Sequence, residues 1–215
     1  MGGEFNVWIL SVVVAFTGYL LGSFPAGYFA GRFAGVDIRK TGSGNIGATN
    51  VLRTLGKRWG YAVFFVDAFK GFLAVRLALF LAFQTGIERS WTVYFGILAG
   101  GLCIVGHMFP VWLGFKGGKG VATSAGVMFG LMPLAVVIVS VIWILMFEIT
   151  RYVSLASVAA AVALPLVVAL LNRWGMIDGA GLLYFSAVVA VLVPWSHRSN
   201  FSRLLKGTEQ RFDRK

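Results

Sequence analysis

Two glycine-rich segments of the chain carry the residue types that bind phosphate. The first loop, residues 41–50, reads Thr-Gly-Ser-Gly-Asn-Ile-Gly-Ala-Thr-Asn. The second loop, residues 114–120, ends in Lys-Gly-Gly-Lys-Gly. Glycine allows bare backbone N–H groups to approach phosphate oxygens, and ammonium groups neutralise their charge. Two such loops on one chain suggest chemistry on phosphorylated substrates.

The first loop precedes a helix-compatible run from Ile46 to Leu55. A helix N-terminus attracts anions, because its first N–H groups have no partner in the helix and its dipole is positive. A plain turn between two helices is the structural alternative, since glycine-rich turns are common. The complete string is more specific than such a turn. We therefore predict phosphate contacts from the following residues: Gly42, Ser43, Gly44, Asn45 and Arg53.

The second loop is followed by an apolar run that begins at Val121, so its lysines would again lie beside a helix N-terminus. The P-loop spacing G-x-x-x-x-G-K-[ST] is absent. Two lysines at a membrane edge also satisfy the positive-inside rule without any further role. The glycines around them favour phosphate contact. The predicted residues here are Lys116, Gly117, Gly118, Lys119, Gly120 and Thr123.

Asp67 and Lys70 lie within an apolar stretch at 60–83, three positions apart, and so share one helix face. Ionisable residues inside a membrane are rare and usually mark a site, although a structural ion pair is the alternative. For Asp67 the two interpretations stay open. Lys70 is predicted to bind substrate, because this site must hold anions.

The chain contains only two histidines, His107 and His197. His197 opens the tail His-Arg-Ser-Asn and could act as a base or hold a phosphate, together with Asn200. For His107 a structural role is favoured. Ser154 is a candidate for substrate contact, with helix packing as an equal alternative.

The motifs that several types of reaction require are absent from the sequence. No H-x-x-x-x-D motif begins at either histidine, and no G-x-S-x-G or H-E-x-x-H string is present. Only eight acidic residues occur, and none form a cluster typical of Mg²⁺ sites. We therefore expect neither a metal nor another cofactor.

Composition places the site in a membrane. Of the 215 residues, 58% are hydrophobic and only 13% charged, against about 25% in soluble domains. The net charge of +11 does not indicate nucleic acid binding, because basic residues alternate with apolar stretches. The single cysteine, Cys103, allows no internal disulfide. We predict one integral membrane domain over residues 1–215, with a short basic tail from about 196.

Apolar stretches of about 20 residues predict membrane-spanning helices. The candidates are residues 6–30, 60–83, 91–112, 152–171 and 178–195. Basic residues concentrate in 32–58, 114–120 and 196–215, which the positive-inside rule places in the cytoplasm. The N-terminus would then lie outside and the C-terminus in the cytoplasm, with every polar motif on the cytoplasmic face.

This orientation requires an even number of crossings between residues 120 and 196. Pro133 interrupts the apolar stretch 121–147 and cannot continue the helical hydrogen-bond ladder. We predict two half-helices, about 121–131 and 134–147, that form a re-entrant hairpin. A single proline-kinked spanning helix is the alternative. The predicted fold is all-α, with about five full spans, the broken hairpin and about seven helices.

The motifs resemble those of the bacterial acyl-phosphate:glycerol-3-phosphate acyltransferases over nearly the whole chain. The matching strings are Gly22-Ser23-Phe24-Pro25, Thr41 to Asn50, Gly106-His107 with Phe109-Pro110, Phe115 to Thr123, and His197 through Arg203-Leu204 to Gly207 and Glu209. The resemblance implies a bacterial inner-membrane enzyme that moves a fatty acyl group from acyl phosphate to the 1-hydroxyl of glycerol 3-phosphate. Lysophosphatidic acid and phosphate would be the products.

The predicted residues suit that reaction. Ser43, Asn45 and nearby backbone are assigned to one phosphate, and Lys116, Lys119 and the Gly117–Gly120 backbone to the other phosphate or the oxyanion. Arg53, Lys70, His197 and Asn200 would complete the polar pocket. The general base stays open between His197 and a phosphate oxygen of the donor. The competing function is a transporter or channel for phosphorylated metabolites, which also uses broken helices but predicts access from both faces.

Overall fold

The computed structural model of the chain describes residues 2–177 and 179–212, and the side chains of 2–6 and 89 are not described. Within these residues every regular element is helical, which confirms the all-α fold class. The α-helices are α1 Gly2–Ser23, α2 Ala26–Phe33, α3 Ala48–Leu55, α4 Lys57–Gln84, α5 Arg89–Met108, α6 Val121–Leu131, α7 Pro133–Thr150, α8 Val153–Arg173, α9 Ala180–Ser196 and α10 Arg198–Leu205. Two 3-10 helices cover Ile38–Lys40 and Val111–Leu113.

The described residues thus form more α-helices than the seven predicted, because short helices sit between the long ones. The predicted span 6–30 is divided at Pro25, where α1 has ended at Ser23 and α2 begins at Ala26. Proline provides no N–H for a helical hydrogen bond, so the ladder stops there. The small residues of α2 are buried: Ala26, Gly27, Ala30 and Gly31.

Four stretches among the described residues are long and apolar enough to cross a membrane: Val7–Phe33, Ser90–Leu113, Pro133–Thr150 and Val153–Arg173. The bent pair Ala180–Ser196 and Arg198–Leu205, with an angle of 49° between its helices, would add a fifth. α4 has 28 residues but carries charged side chains, Asp67, Lys70 and Arg76, along its length. The number of complete crossings and the orientation of the termini stay predictions.

The chain divides into two compact units, Met1–Leu131 and Met132–Lys215. In the first unit, α1 packs against α5 and α4, and α4 packs against α6. Small residues bring these backbones close together. A Cβ added to Gly22 would strike the backbone of Cys103 on α5, and one added to Gly126 would strike that of Ala68 on α4.

The apolar stretch after the second loop is broken where the sequence predicts, at residue 132. α6 ends at Leu131, Met132 has non-helical dihedral angles, and Pro133 is the first residue of α7. However, α7 continues to Thr150 and is long enough to span a membrane by itself. α7 is therefore longer than the half-helix that the sequence predicts over 134–147. The re-entrant path of this stretch stays a prediction.

In the second unit, α8 packs against both α7 and α9. The residues after α10 return to the junction between α7 and α8. There the Phe212 N–H donates to the Arg151 carbonyl over 3.0 Å, and Arg211 Nε donates to the Thr150 carbonyl over 3.2 Å. Arg214 and Lys215 of the predicted basic tail lie outside the described residues.

Candidate active site

The first loop is built around the side chain of Asn50. Its Oδ1 accepts a hydrogen bond from the Ser43 N–H over 2.9 Å. Its Nδ2 donates to three backbone carbonyls, at 3.2 Å to Ile38, 3.1 Å to Thr41 and 2.8 Å to Asn45. Asn50 is only 3% exposed, so these contacts replace water that it has lost. Asn50 is the last residue of the predicted loop, and its position in the sequence does not indicate this role.

The predicted phosphate ligands of this loop lie around that hub. Gly42 and Gly44 have φ angles of 58° and 71°, in the left-handed region that favours glycine. The Ser43 side chain is exposed, and the Asn45 Oδ1 accepts from the Gly47 N–H over 2.8 Å. This turn places Gly47 at the N-cap of α3, two residues later than predicted. Arg53 lies half-buried in the last turn of α3.

The second loop is fastened to the end of α5. The Gly117 N–H donates to the Met108 carbonyl over 3.0 Å, and the Gly118 N–H donates to the His107 carbonyl over 3.1 Å. These bonds satisfy carbonyl groups that a helix end leaves without helical partners. The N–H groups of Gly117 and Gly118 therefore serve the loop itself, unlike the free phosphate donors that the sequence suggests.

The remaining candidates of the second loop stand closer to solvent or to the start of α6. Lys116 is exposed, Lys119 is half-buried and Gly120 is buried with a φ of 78°. α6 begins at Val121, so its first-turn N–H groups have no intrahelical partner. In that turn the Thr123 hydroxyl is fully buried and has no hydrogen-bond partner.

The two loops share one apolar support in the first unit. Ile38, Ile46 and Val51 form part of a buried cluster around the first loop. Leu113, just before the Gly114 that opens the second loop, packs against that cluster. The loops therefore lie at the same end of the first unit.

Asp67, Lys70 and His107 form a buried polar cluster beneath the second loop. The Lys70 Nζ lies 2.8 Å from the Asp67 Oδ1 and 3.0 Å from the His107 Nδ1. It also donates to the Phe24 carbonyl over 2.8 Å. The three side chains are 2%, 5% and 4% exposed, respectively. These contacts match the structural ion pair that was the alternative to substrate binding by Lys70.

The other three predicted site residues lie in the second unit. His197 is buried, with its Nδ1 at 2.8 Å from the Val193 carbonyl oxygen. Asn200 Nδ2 and the Ser154 hydroxyl both donate to the Glu209 Oε1, over 2.6 Å and 3.2 Å. Glu209, which belongs to the motif that begins at His197 and has no predicted role, is thus the centre of this group.

The negative charge of Glu209 is paired with a positive side chain of the second unit. Arg203 Nε donates to its Oε2 over 2.7 Å. Partial burial raises the pKa of the Glu209 carboxyl, but hydrogen bonds from Asn200, Arg203 and Ser154 outweigh that effect and hold the pKa below its usual range. Near the first loop, the hydrogen bond from Arg39 lowers the pKa of Asp37 to about 2.

The fold and these loops together define an integral membrane protein with two glycine loops, one carrying lysines, suited to binding anions. Comparison with known proteins specifies the class further. The family model described as glycerol-3-phosphate acyltransferase matches residues 12–207. A protein named glycerol-3-phosphate acyltransferase from Prochlorococcus marinus (strain NATL2A) is 44% identical over 203 residues, which cover 94% of this chain and 98% of the relative.

Two solved structures are also similar to this chain. They are crystal structures of PlsY (YgiH), an integral membrane glycerol 3-phosphate acyltransferase, in its glycerol 3-phosphate form and its lysophosphatidic acid form. Both are 40% identical to this chain and cover 94% of it, with TM-scores of 0.81 and 0.79; the alignments span 96% and 95% of the PlsY chains. This chain therefore belongs to the glycerol-3-phosphate acyltransferase family, and it is an integral membrane acyltransferase of phospholipid synthesis.

Proposed function

We propose that this enzyme transfers a fatty acyl group from acyl phosphate to the 1-hydroxyl of glycerol 3-phosphate, giving lysophosphatidic acid and phosphate. The observation that carries this proposal is the pair of anion-suited loops supported by one cluster in the first unit. Two phosphorylated substrates require two phosphate contacts. The PlsY structures, described as glycerol 3-phosphate and lysophosphatidic acid forms, support the acceptor and the product.

Acyl phosphate as the donor suits the residues present. It is a mixed anhydride and is already activated, so the enzyme needs no nucleophile of its own. The acceptor hydroxyl oxygen attacks the acyl carbonyl carbon, and the bond from that carbon to the phosphate oxygen breaks. The proton of the hydroxyl leaves with the released phosphate, either directly or through His197 as a base. Positioning and charge neutralisation supply the acceleration.

The loops have distinct parts in this proposal. In the first loop, the exposed Ser43 hydroxyl and the Asn45 amide contact one phosphate, and Arg53 adds charge. In the second loop, Lys116 and Lys119, with the first-turn N–H groups of α6, contact the other phosphate or the oxyanion. Gly117 and Gly118 act differently, since their N–H groups hold the loop against α5.

The proposed cellular setting rests on the family resemblance and on the charge pattern. We propose that the protein is a multi-pass protein of the bacterial inner membrane. Its substrates are then glycerol 3-phosphate from the cytoplasm and an acyl phosphate held by the bilayer. Both loops belong to segments rich in basic residues, which the positive-inside rule places in the cytoplasm.

The experiment uses purified full-length protein in detergent or vesicles, with acyl phosphate and radiolabelled glycerol 3-phosphate and no added cofactor. We expect labelled lysophosphatidic acid to form, and turnover to survive EDTA. Acyl-coenzyme A should not replace acyl phosphate. Equal rates with acyl-coenzyme A would contradict the proposed donor. Uptake of labelled glycerol 3-phosphate into sealed vesicles without any lysophosphatidic acid would instead indicate the transporter.

A further inference from the structure

We propose that Asp67 and Lys70 are positioning residues that hold the second loop in place through His107. The inference rests on the proposed function, because the second loop carries the lysines assigned to phosphate. It also changes the role of Lys70, which the sequence predicts to contact substrate. In this account Lys70 acts on the loop and touches neither substrate.

The first step is the set of protein groups around Lys70. Its Nζ donates to the Phe24 carbonyl oxygen over 2.8 Å, lies 3.0 Å from the His107 Nδ1, and forms an ion pair with the Asp67 Oδ1 at 2.8 Å. Lys70 is 5% exposed, so solvent has almost no access to it. The ammonium of Lys70 is therefore enclosed by protein groups and directed at Asp67, Phe24 and His107.

The second step is the orientation of the His107 ring. The Lys70 Nζ lies 3.0 Å from the Nδ1 of that ring. The Asp67 Oδ1 lies 3.4 Å from the same Nδ1. The buried ion pair therefore holds one edge of the imidazole, and the opposite edge carries Nε2.

The third step is the contact between that ring and the loop. A Cβ built on Gly118 would lie closer than 3.0 Å to His107 Nε2, a separation that real Cβ atoms essentially never show. The Gly118 backbone thus lies directly against the ring, and its N–H donates to the His107 carbonyl. Rotation of the ring would therefore displace the loop, and a fixed ring keeps the loop in one position.

The consequence is a chain of contacts from the buried pair to the lysines. Asp67 and Lys70 fix His107, His107 fixes Gly118, and Gly118 lies next to Lys119 in the chain. Buried charges inside a membrane are costly, so their presence indicates a role. Accurate placement of Lys116 and Lys119 is such a role, because a misplacement of about 1 Å near reacting groups can cost on the order of 100-fold in rate.

The test removes both charges of the pair at once, in the variant Asp67→Asn/Lys70→Met. The double change avoids leaving one buried charge without its partner. Hydrogen exchange followed by mass spectrometry then compares segment 110–120, the second loop, with segment 38–50, the first. The matched control is Arg76→Met, which removes an exposed charge from the same helix.

We expect exchange in segment 110–120 to become roughly tenfold faster, the scale of one lost hydrogen bond, while segment 38–50 stays unchanged. The Arg76→Met protein should match the unaltered protein in both segments. Unchanged exchange in 110–120, or an equal rise in both segments, would overturn the inference. If the double variant does not fold, His107→Gln decides, because it keeps the ion pair but removes the ring; here too, unchanged exchange in 110–120 overturns the inference.

The kinetics of the folded double variant provide a second test. We expect KM for one phosphorylated substrate to rise and kcat/KM to fall by on the order of 100-fold. The loss should not multiply with that of Gly118→Ala, because both changes disturb the same contact. Fully multiplicative losses would contradict the chain of contacts. Exchange does not depend on catalysis, so a failed acyl transfer assay with faster exchange would contradict the proposed function alone.

Discussion

The two glycine loops of the first unit are held in place by different groups. The first loop folds around one neutral side chain, Asn50, which contacts the backbone at four residues. The second loop contains no such hub among its described contacts. Its glycines are tied to the carbonyl groups at the end of α5 and lie against His107, which in turn contacts the buried pair of Asp67 and Lys70.

The difference teaches that glycine serves two purposes in this protein. In the first loop, Gly42 and Gly44 supply left-handed backbone that lets the loop wrap around Asn50. In the second loop, Gly118 supplies close approach to an aromatic ring. The first loop is therefore stabilised locally, whereas the second depends on Lys70 and Asp67, which lie 48 and 51 positions before Gly118 in the chain. Mutations should distinguish the local stabilisation of the first loop from the long-range support of the second loop.

The largest effect is expected for Asn50→Leu. The change leaves the Ser43 N–H and three carbonyl groups without their partner, and each buried unsatisfied group costs about 1–3 kcal/mol. We expect the unfolding free energy to fall by about 3 kcal/mol or more and acyl transfer to be lost. Thermal unfolding in detergent and the transfer assay measure both. The neighbouring Thr49→Ala is the control, and an equal loss there would refute a special role for Asn50.

Gly118→Ala should cost activity without preventing insertion into the membrane. The added methyl group would displace the loop from His107 and move Lys119 away from the phosphate that we propose it binds. We expect a fall in kcat/KM of roughly 10- to 150-fold, the scale of one charge-assisted contact of about 1.5–3 kcal/mol. Gly114→Asn is the control, since no heavy atom lies within 4 Å of a Cβ there and asparagine tolerates its left-handed φ of 59°. If Gly114→Asn loses as much activity, close approach is not the reason.

Ser43→Ala should produce a smaller and purely functional effect. The loop keeps its shape, because Asn50 contacts the Ser43 backbone N–H and not its hydroxyl. If the exposed hydroxyl binds phosphate, we expect kcat/KM to fall by about tenfold, near 1.4 kcal/mol, with an unchanged melting temperature. A fall in melting temperature equal to that of Asn50→Leu would show that the two residues are not separable in this way.

Glu209→Gln extends the comparison to the hub of the second unit, which is charged where Asn50 is neutral. Its pKa is held below the usual range, so its stabilisation is present above the unfolded pKa of about 4.3 and is lost as pH falls through the lower folded value. We expect the variant to melt below the unaltered protein at pH 7, and the difference to shrink toward pH 3. A difference that is independent of pH would mean that the charge is not involved.

Much of the fold follows from the sequence because its signals are local. Apolar length predicted the long helices, and Pro133 predicted the break at residue 132. The division of the first span at Pro25 and the full length of α7 were missed. The division at Pro25 comes from the missing N–H of proline, which a count of apolar residues does not include, and the end of α7 is likewise not set by apolar composition.

The site was predictable in its residue types but not in its contacts. Glycine and lysine spacing indicated both loops. The hub roles of Asn50 and Glu209 arise from hydrogen bonds between residues up to 55 positions apart, and no local pattern shows them. For the same reason the sequence could not show that the N–H groups of Gly117 and Gly118 are used within the protein, or that His107 contacts Lys70.

The claim that the second loop binds a phosphate is tested most directly by the kinetics of Lys119→Arg. The change keeps the positive charge, so membrane orientation should be unaffected, but it replaces a compact ammonium with a broad planar group. We predict normal insertion and a fall in kcat/KM of roughly 10- to 150-fold. Near-unaltered kinetics in a normally inserted Lys119→Arg protein would show that the loop only sets orientation, and would contradict the proposed mechanism.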